Sequence, residues 1–171
     1  MLRKNPESKV EAASGTFAIV ASRYNARYVD ALLRAAKAEL WRAEVSRIQI
    51  VRVPGAYEIP LAAKRLARTL PNLSAILCLG VVLRGETAHA TFIGDTVSRA
   101  LMEIQLAYEI PVAHEVLVLE NEEQARVRCL DPDHNRGTEA AQTALAMVHV
   151  LNSLQRPAPA FPGAAAPAQD G

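Results

Sequence analysis

A polar segment directly after an apolar run carries the residues of this chain best suited to chemistry. Residues 75–83 are almost entirely aliphatic, and Arg84-Gly85-Glu86-Thr87 and then His89 follow them. An imidazole can exchange a proton near neutral pH without a large pKa shift. We expect Gly85 and Thr87 to open the next helix with free backbone N–H groups, which bind anions such as phosphate. The segment therefore predicts a proton-transfer group beside an anion site.

Two further apolar segments also end in residues with chemical potential. The first, residues 17–21, leads into Tyr24, and the second, residues 47–53, leads into Pro54-Gly55-Ala56-Tyr57-Glu58. These loops supply an aromatic face and a carboxylate, which suit a flat ligand rich in hydroxyl groups. Arg128, near the end of a predicted short helix, has the guanidinium that pairs with a phosphate through two hydrogen bonds.

Each candidate also has an ordinary structural explanation. A tyrosine after a strand often serves packing, a glutamate in a first helical turn suits the helix dipole, and a glycine-containing turn is common. His89 alone would be a surface histidine more often than a catalyst, and Arg128 an ordinary cation at a helix end. Spacing alone gives the other three histidines, at positions 114, 134 and 149, a structural or solvated role.

The elements around these loops predict how they come together. Strands are expected at 17–21, 47–53, 75–80 and 112–119, and helices at about 29–40, 59–66, 89–108, 121–129 and 137–154. Strands that alternate with helices are typical of a parallel sheet covered on both faces. The predicted fold is α/β: a three-layer α/β/α sandwich around a four-stranded parallel sheet, flavodoxin-like in outline. Ligands of such sheets bind outside the carboxyl ends of the strands, where the candidate loops would converge.

Composition excludes several classes of protein. The 171 residues are 50% apolar and 22% charged, with 19 basic and 18 acidic side chains. Near-neutral charge argues against nucleic acid as a partner. The N-terminus has no apolar core of a signal peptide and the longest apolar run is too short for a membrane span, so we expect a cytoplasmic protein without a membrane partner. Cys78 and Cys129 form no CxxC motif, which predicts reduced thiols and no metal site.

The chain divides into three parts by composition. Residues 1–15 are polar and predict a flexible arm, and residues 16–155 hold the alternating elements of a single domain. Residues 156–171 are rich in proline and alanine, which predicts a disordered tail. The final helix carries Ala140, Ala141, Ala144 and Ala146, which predict an apolar surface of small residues that would be buried by self-association.

Four segments in this order resemble the 6,7-dimethyl-8-ribityllumazine synthase family. They are VASRYN (20–25), VRVPGAYEIPLAAK (51–64), LGVVLRGETAH (79–89), and EEQARVR followed by HNRG (122–137). The resemblance covers about residues 16–154. It implies a transferase of riboflavin biosynthesis that condenses 5-amino-6-(D-ribitylamino)uracil with 3,4-dihydroxy-2-butanone 4-phosphate, without cofactor or metal. The rival hypothesis is a non-catalytic flavin- or lumazine-binding protein, or a shell-forming scaffold, on the same fold.

The resemblance also implies a role for each matching residue. His89 falls on the histidine assigned to proton transfer, and Arg128 on the arginine that pairs with the phosphate. Glu86 and Thr87 match the backbone and hydroxyl that hold the same phosphate. The residues that match contacts to the pyrimidine ring and ribityl chain are Tyr24, Ala56, Tyr57, Glu58, Val81, Val82, Leu83 and His114.

The resemblance also implies an oligomeric assembly, and this sequence differs from the family pattern at three places. Members form pentamers, in some cases 60-subunit shells, with active sites between subunits, so His114 and Arg128 would enter a neighbour's site. Riboflavin synthase is a candidate partner. This sequence has Glu86 where many members have alanine and His114 where a phenylalanine is usual. It has CLDPDH at 129–134 where many have a loop containing glycine and lysine.

Overall fold

The computed structural model describes residues 15–154, which form one parallel sheet between two layers of helices. The expectations for residues 1–14 and 155–171 lie outside the described residues. The four strands are β1 (Thr16–Ser22), β2 (Arg47–Val53), β3 (Leu73–Leu83) and β4 (Val112–Leu119). The α-helices are α1 (Ala26–Arg42), α2 (Ile59–Thr69), α3 (His89–Tyr108), α4 (Glu122–Cys129) and α5 (Arg136–Leu154), and a 3₁₀ turn covers Ala56–Glu58.

The sheet has the strand order β2-β1-β3-β4, and all of its pairs are parallel. Side chains alternate between its two faces. In β1, Phe17 and Ile19 pack with α1, α4 and α5, whereas Ala18 and Val20 pack with α2 and α3. Both faces of the central strands are therefore buried, which explains their uninterrupted apolar sequence. The predicted three-layer fold is confirmed.

Strand β3 is longer than predicted at both ends. It extends to Leu83 because Val81, Val82 and Leu83 remain paired with the end of β4. Gly80 does not end the strand. A Cβ there would lie 3.2 Å from side-chain atoms of both Ile59 and Val116, so the glycine provides room for packing inside a continuous strand.

The alanine-rich face of α5 is not an exposed surface. Ala140, Ala141 and Ala144 are all buried, because this face packs on α1 and the sheet. The prediction that these alanines would be available for self-association is therefore wrong for these three, whereas Ala146 is half-buried. Gly137 permits the close helix contact, since a Cβ at that position would lie 2.1 Å from the backbone oxygen of Leu32.

Exposed large apolar side chains lie on both helix layers, and they include Trp41 on α1 and Leu154 on α5. Leu61 on α2 and Phe92, Met102 and Leu106 on α3 are all more than half exposed. Within residues 15–154, none of the helices has the length and apolar character needed to cross a membrane.

Candidate functional site

The candidate site lies at the carboxyl ends of the strands. We call this region the rim and define it by the loops 23–25, 54–58 and 84–88. The backbone joins the first two loops, because the Arg23 N–H donates to the Val53 carbonyl at 2.9 Å and the Tyr24 N–H to the Pro54 carbonyl at 3.1 Å. The sheet therefore brings together two candidate segments about thirty residues apart in sequence.

The side chains of Tyr24 and Glu58 both lie close to Gly55. The Gly55 N–H donates to Oε2 of Glu58 at 2.8 Å, which fixes the direction of that carboxylate. A Cβ on Gly55 would lie 3.0 Å from the same oxygen and 3.3 Å from Cδ2 of Tyr24. The absence of a side chain at Gly55 thus permits this arrangement. Tyr24, Tyr57 and Glu58 are exposed, and Ala56 is buried beneath them.

The end of β3 presents backbone groups to the same region. Pairing with β1 ends at Leu79, but β3 continues along β4 to Leu83. The side-chain amide of Asn25 donates to the Val81 carbonyl at 2.8 Å across the gap that β1 leaves. Because backbone groups alternate in direction along a strand, those of Leu83 face the same gap and could bind the polar edge of a flat ring. Asn25 adopts a left-handed conformation (φ 54°) to reach this position, which asparagine tolerates better than most residues.

The loop 84–88 leads to His89 with one difference from the prediction. Helix α3 begins at His89, so Gly85 and Thr87 lie in the preceding loop and not in the helix. The Thr87 hydroxyl accepts from the His89 N–H at 3.4 Å, a long contact. Arg84 anchors the loop through its N–H, which donates to the Leu119 carbonyl at 2.8 Å. Glu86, Thr87 and His89 are exposed around the first turn of α3.

His114 and Arg128 do not reach the rim of their own chain. His114 lies in the middle of β4, opposite Cys78, and its Nε2 is 2.8 Å from the Ser98 hydroxyl. Ser98 is nine residues beyond His89 on α3, roughly 13 Å along the helix. Arg128 lies on α4, in the layer on the other side of the sheet from α3. Within one chain the structure thus brings together all predicted site residues except these two.

A buried ion pair lies near Arg128 and was not predicted from the sequence. Arg136 donates to both carboxylate oxygens of Glu115, at 3.0 and 3.2 Å. Burial raises the pKa of Glu115, and the charges of Arg136 and Arg128 only partly offset this. Burial and the nearby Glu115 raise the pKa of the Cys129 thiol to about 11, and burial likewise raises the pKa of Cys78. These thiols are therefore protonated packing groups at neutral pH.

Sequence reasoning also overlooked two asparagines that hold the site together. Asn25 links the first loop to β3, and Asn135 links α4 to α5 through its buried side chain. Each stands at the beginning of a helix, where an asparagine is normally explained as a cap. The hydrogen bond of Asn25 reaches a residue far away in the sequence, and that of Asn135 reaches another helix, so local pattern gives no signal for either.

Two of the grooves on the described surface differ in their relation to the rim: the first has no rim residue in its lining, and the second reaches the rim at Arg84. One of about 440 Å³ runs between α1 and the α4–α5 connection, and one of about 300 Å³ runs between α3 and β4, bordered by Arg84, Thr91 and Ser98. Among residues 15–154 there is no group of three or more His, Cys, Asp or Glu side chains placed to hold a metal ion. The rim of a single chain is an open surface and not a closed pocket.

Comparison with known proteins gives a consistent result. Residues 14–152 match the family model for 6,7-dimethyl-8-ribityllumazine synthase. A protein of that name from Stenotrophomonas maltophilia (strain R551-3) is 42% identical over 143 residues, which are 82% of this chain and 92% of the relative. Proteins of the same name from Xanthomonas euvesicatoria pv. vesicatoria (strain 85-10) and Xanthomonas campestris pv. campestris (strain B100) are 38% and 39% identical over 150 residues, which are 86% of this chain and 97% of each relative.

Proposed function

This chain belongs to the 6,7-dimethyl-8-ribityllumazine synthase family, and from that premise we propose how the residues around its rim carry out the family's reaction. The protein is a transferase that condenses 5-amino-6-(D-ribitylamino)uracil with 3,4-dihydroxy-2-butanone 4-phosphate. The product, 6,7-dimethyl-8-ribityllumazine, is formed in the penultimate step of riboflavin biosynthesis. The match along residues 14–152 carries this conclusion.

The reaction depends mainly on holding two substrates in register. The amine of the pyrimidine attacks the ketone and a water is lost to give an imine, inorganic phosphate is eliminated, and ring closure follows with loss of a second water. Positioning two reactants can lower a barrier by about 7–11 kcal/mol. In this proposal His89 transfers protons during these steps; it is an exposed imidazole at the first position of α3, directly after the loop 84–88.

The pyrimidine lies over the rim in this proposal. Tyr24 stacks on the ring, Glu58 accepts from ribityl hydroxyls together with the Ala56–Tyr57 loop, and the backbone of Val81, Val82 and Leu83 binds the ring edge. Support comes from the bond between Gly55 and Glu58, which orients the carboxylate beside the Tyr24 ring. The open backbone at the end of β3 lies next to both.

The butanone phosphate lies at the first turn of α3. Glu86 contributes its backbone N–H and Thr87 its hydroxyl, and the guanidinium of Arg128 pairs with the phosphate. The Glu86 carboxylate must point away from the anion, and its position on an exposed loop allows this.

The protein assembles into an oligomer, as its family does, and we assign it a pentameric ring in which each active site spans two subunits. His114 and Arg128 lie too far from the rim to serve the site of their own chain, so they would serve that of a neighbour. The exposed apolar side chains of α2 and α3 supply a surface for the ring. Phe92 is 67% exposed and Leu106 is 70% exposed, and their burial between subunits would stabilise the ring. The ring could assemble further into a 60-subunit shell, and light scattering would measure the final size.

Product formation tests the function directly. The protein mixed with both substrates should produce lumazine fluorescence over many turnovers. Tight riboflavin binding without product would instead favour the flavin-binding or scaffold hypothesis, which the comparisons with known proteins do not favour.

Mixing subunits of two impaired variants tests the composite site. His89→Ala and Arg128→Ala remove groups that this proposal places on different sides of the subunit boundary. A ring reassembled from both variants therefore contains some sites with an intact His89 and an intact Arg128, and activity should return. A fully active monomer, or no recovery in mixed rings of confirmed composition, would contradict the composite site.

Two further assignments rest on the reaction itself. The product is the substrate of riboflavin synthase, and we propose a cytoplasmic location in which the two enzymes associate. Co-elution of the two purified proteins on gel filtration, compared with each alone, would measure that association.

A further inference from the structure

Helix α4 carries Arg128 but is held weakly by its own packing. It has eight residues, and only Ala125 and Cys129 among them are buried. Its first turn is fixed by the Asn121 side chain, which accepts from the Gln124 N–H at 3.0 Å. Arg128 stands at the other end, so its position depends on what holds the last turn.

The last turn of α4 is held by Asn135. This side chain is buried, and its amide Nδ2 donates to the carbonyl of Cys129, the residue that follows Arg128. Its other atom, Oδ1, accepts from the Gly137 N–H at 2.8 Å and so caps α5. One amide group therefore joins the end of α4 to the beginning of α5.

The first turn of α5 is held in place by contacts with α1 and β4. Gly137 lies against the backbone of Leu32, where no side chain would fit. Arg136 is fixed to β4 through its two hydrogen bonds with Glu115. The contact through Asn135 thus connects α4 to both the sheet and α1.

Arg128 is the basic side chain of α4 that the described part of the chain leaves without a partner. Arg126 is occupied by Glu123, with contacts of 2.9 and 2.7 Å, and Arg136 by Glu115 and Glu139. Arg128 is exposed and has no hydrogen bond or ion pair with any other residue between 15 and 154. An anion that approaches this end of α4 therefore meets the unpaired guanidinium of Arg128, while the exposed Arg34 of α1 lines the neighbouring groove beside Cys129 and Asn135.

We infer that Asn135 is a positioning residue, which holds the last turn of α4 so that the Arg128 guanidinium stands where the phosphate of the substrate binds. This inference rests on the proposed role of Arg128. It adds a residue that does not touch substrate, and it assigns the two sides of one amide to different tasks. Oδ1 stabilises α5, and Nδ2 places Arg128.

Substitutions of Asn135 that keep the cap of α5 and remove the Nδ2 donor test whether the two atoms have these separate roles. Serine accepts from a helix N–H but is too short to reach the Cys129 carbonyl, and aspartate is isosteric but has no N–H to donate. In the assembled enzyme, Asn135→Ser should raise the KM for the butanone phosphate about three- to tenfold, the effect of one lost hydrogen bond. The inhibition constant of inorganic phosphate should rise by the same factor, while kcat and the KM for the pyrimidine stay within about twofold.

A double-mutant cycle with Arg128→Ala shows whether Asn135 acts through Arg128. Asn135→Ser, or Asn135→Asp if the serine variant does not fold, should have no further effect on the KM for the butanone phosphate once Arg128 is alanine. An equal effect in both backgrounds, or equal increases in both KM values, would overturn the inference. Arg126→Ala is the control and should leave the KM for the butanone phosphate unchanged. If Arg128→Ala also leaves this KM unchanged, the proposed phosphate role of Arg128 fails as well. A normal effect of Arg128→Ala with none of Asn135→Ser refutes the positioning role alone.

Discussion

The contact between Gly137 and Leu32 permits a quantitative test of how α5 is placed. The substitution is Gly137→Ala, which adds one methyl group. Its Cβ would lie 2.1 Å from the Leu32 oxygen, 2.7 Å from its carbonyl carbon and 2.8 Å from its Cα. These are all backbone atoms inside a helix, so no rotation of a side chain can relieve the contact.

The cost follows from the displacement required. Carbon atoms in contact normally stand about 3.5–4.0 Å from their neighbours, so the first turn of α5 must move away from α1 by about 1 Å or more. Overpacking of this kind costs about 1–3 kcal/mol, and a rigid backbone neighbour favours the upper end. Alanine recovers up to about 1 kcal/mol by its better helix propensity. The net loss is therefore about 2 kcal/mol, or roughly 6 °C in Tm for a domain of this size.

Thermal unfolding of the two variants Gly137→Ala and Gly85→Ala, measured at one protomer concentration, provides the assay. Equal concentration is needed because the Tm of an oligomer depends on it. Gly85 is the matched control, since a Cβ there would meet no atom within 4 Å. We expect Gly85→Ala to unfold within about 1 °C of the parent protein. A Gly137→Ala variant that unfolds as late as the Gly85→Ala control would refute the close-contact reasoning.

Three other predictions concern the rim, the core and the buried ion pair. His89→Ala should slow turnover by about 10²–10⁴-fold yet leave activity from substrate positioning, whereas turnover within twofold of the parent would exclude proton transfer by His89. Ser22→Ala should unfold at the same temperature as the parent protein or a higher one, because the buried Ser22 hydroxyl has no hydrogen-bond partner among residues 15–154. The control Ser98→Ala loses hydrogen bonds to Gly94 and His114 and should unfold at a lower temperature than the parent. A Ser22→Ala variant that unfolds below Ser98→Ala would contradict this prediction. Burial raises the pKa of Glu115 in the folded protein above its ordinary value of 4.5. The contribution of Glu115 to the free energy of unfolding is therefore largest below pH 4.5 and is lost as pH rises through the higher pKa of the folded state. The free energy of unfolding of Glu115→Gln should therefore increase relative to the parent as pH rises from about 4 to 7, and a difference that is flat or falls with pH would count against it.

Much of the site could be predicted because the relevant residues follow apolar strands directly. Tyr24, Glu58 and His89 each lie within a few residues of a strand end, and parallel strands bring such ends to one edge. The alternation of strand and helix therefore specifies both the fold and the location of the rim. The first residue of α3 could not be predicted in the same way, because Gly85 and Thr87 are equally suited to the first turn of a helix and to the loop before it.

Other features depend on contacts between distant elements. The alanines of α5 resemble a surface for self-association in sequence, but Gly137 brings this helix so close to α1 that the alanines fill the space between α5, α1 and the sheet. Exposed large apolar residues lie on α2 and α3, such as Leu61 and Phe92, and also on the outer faces of α1 and α5, such as Trp41 and Leu154.

The sequence by itself determined the order of the elements, the polarity of the sheet and the loops that gather at its carboxyl edge, because these follow from local hydrophobic periodicity and from the handed geometry of strand–helix units. The family resemblance implied that His114 and Arg128 serve a neighbour's site, but only the tertiary structure shows where they lie within the chain and that Asn135 joins α4 to α5. Those placements depend on which face of β4 His114 occupies and on how α4 and α5 pack against the sheet. Such choices are made by contacts between residues far apart in the chain, which no local pattern records.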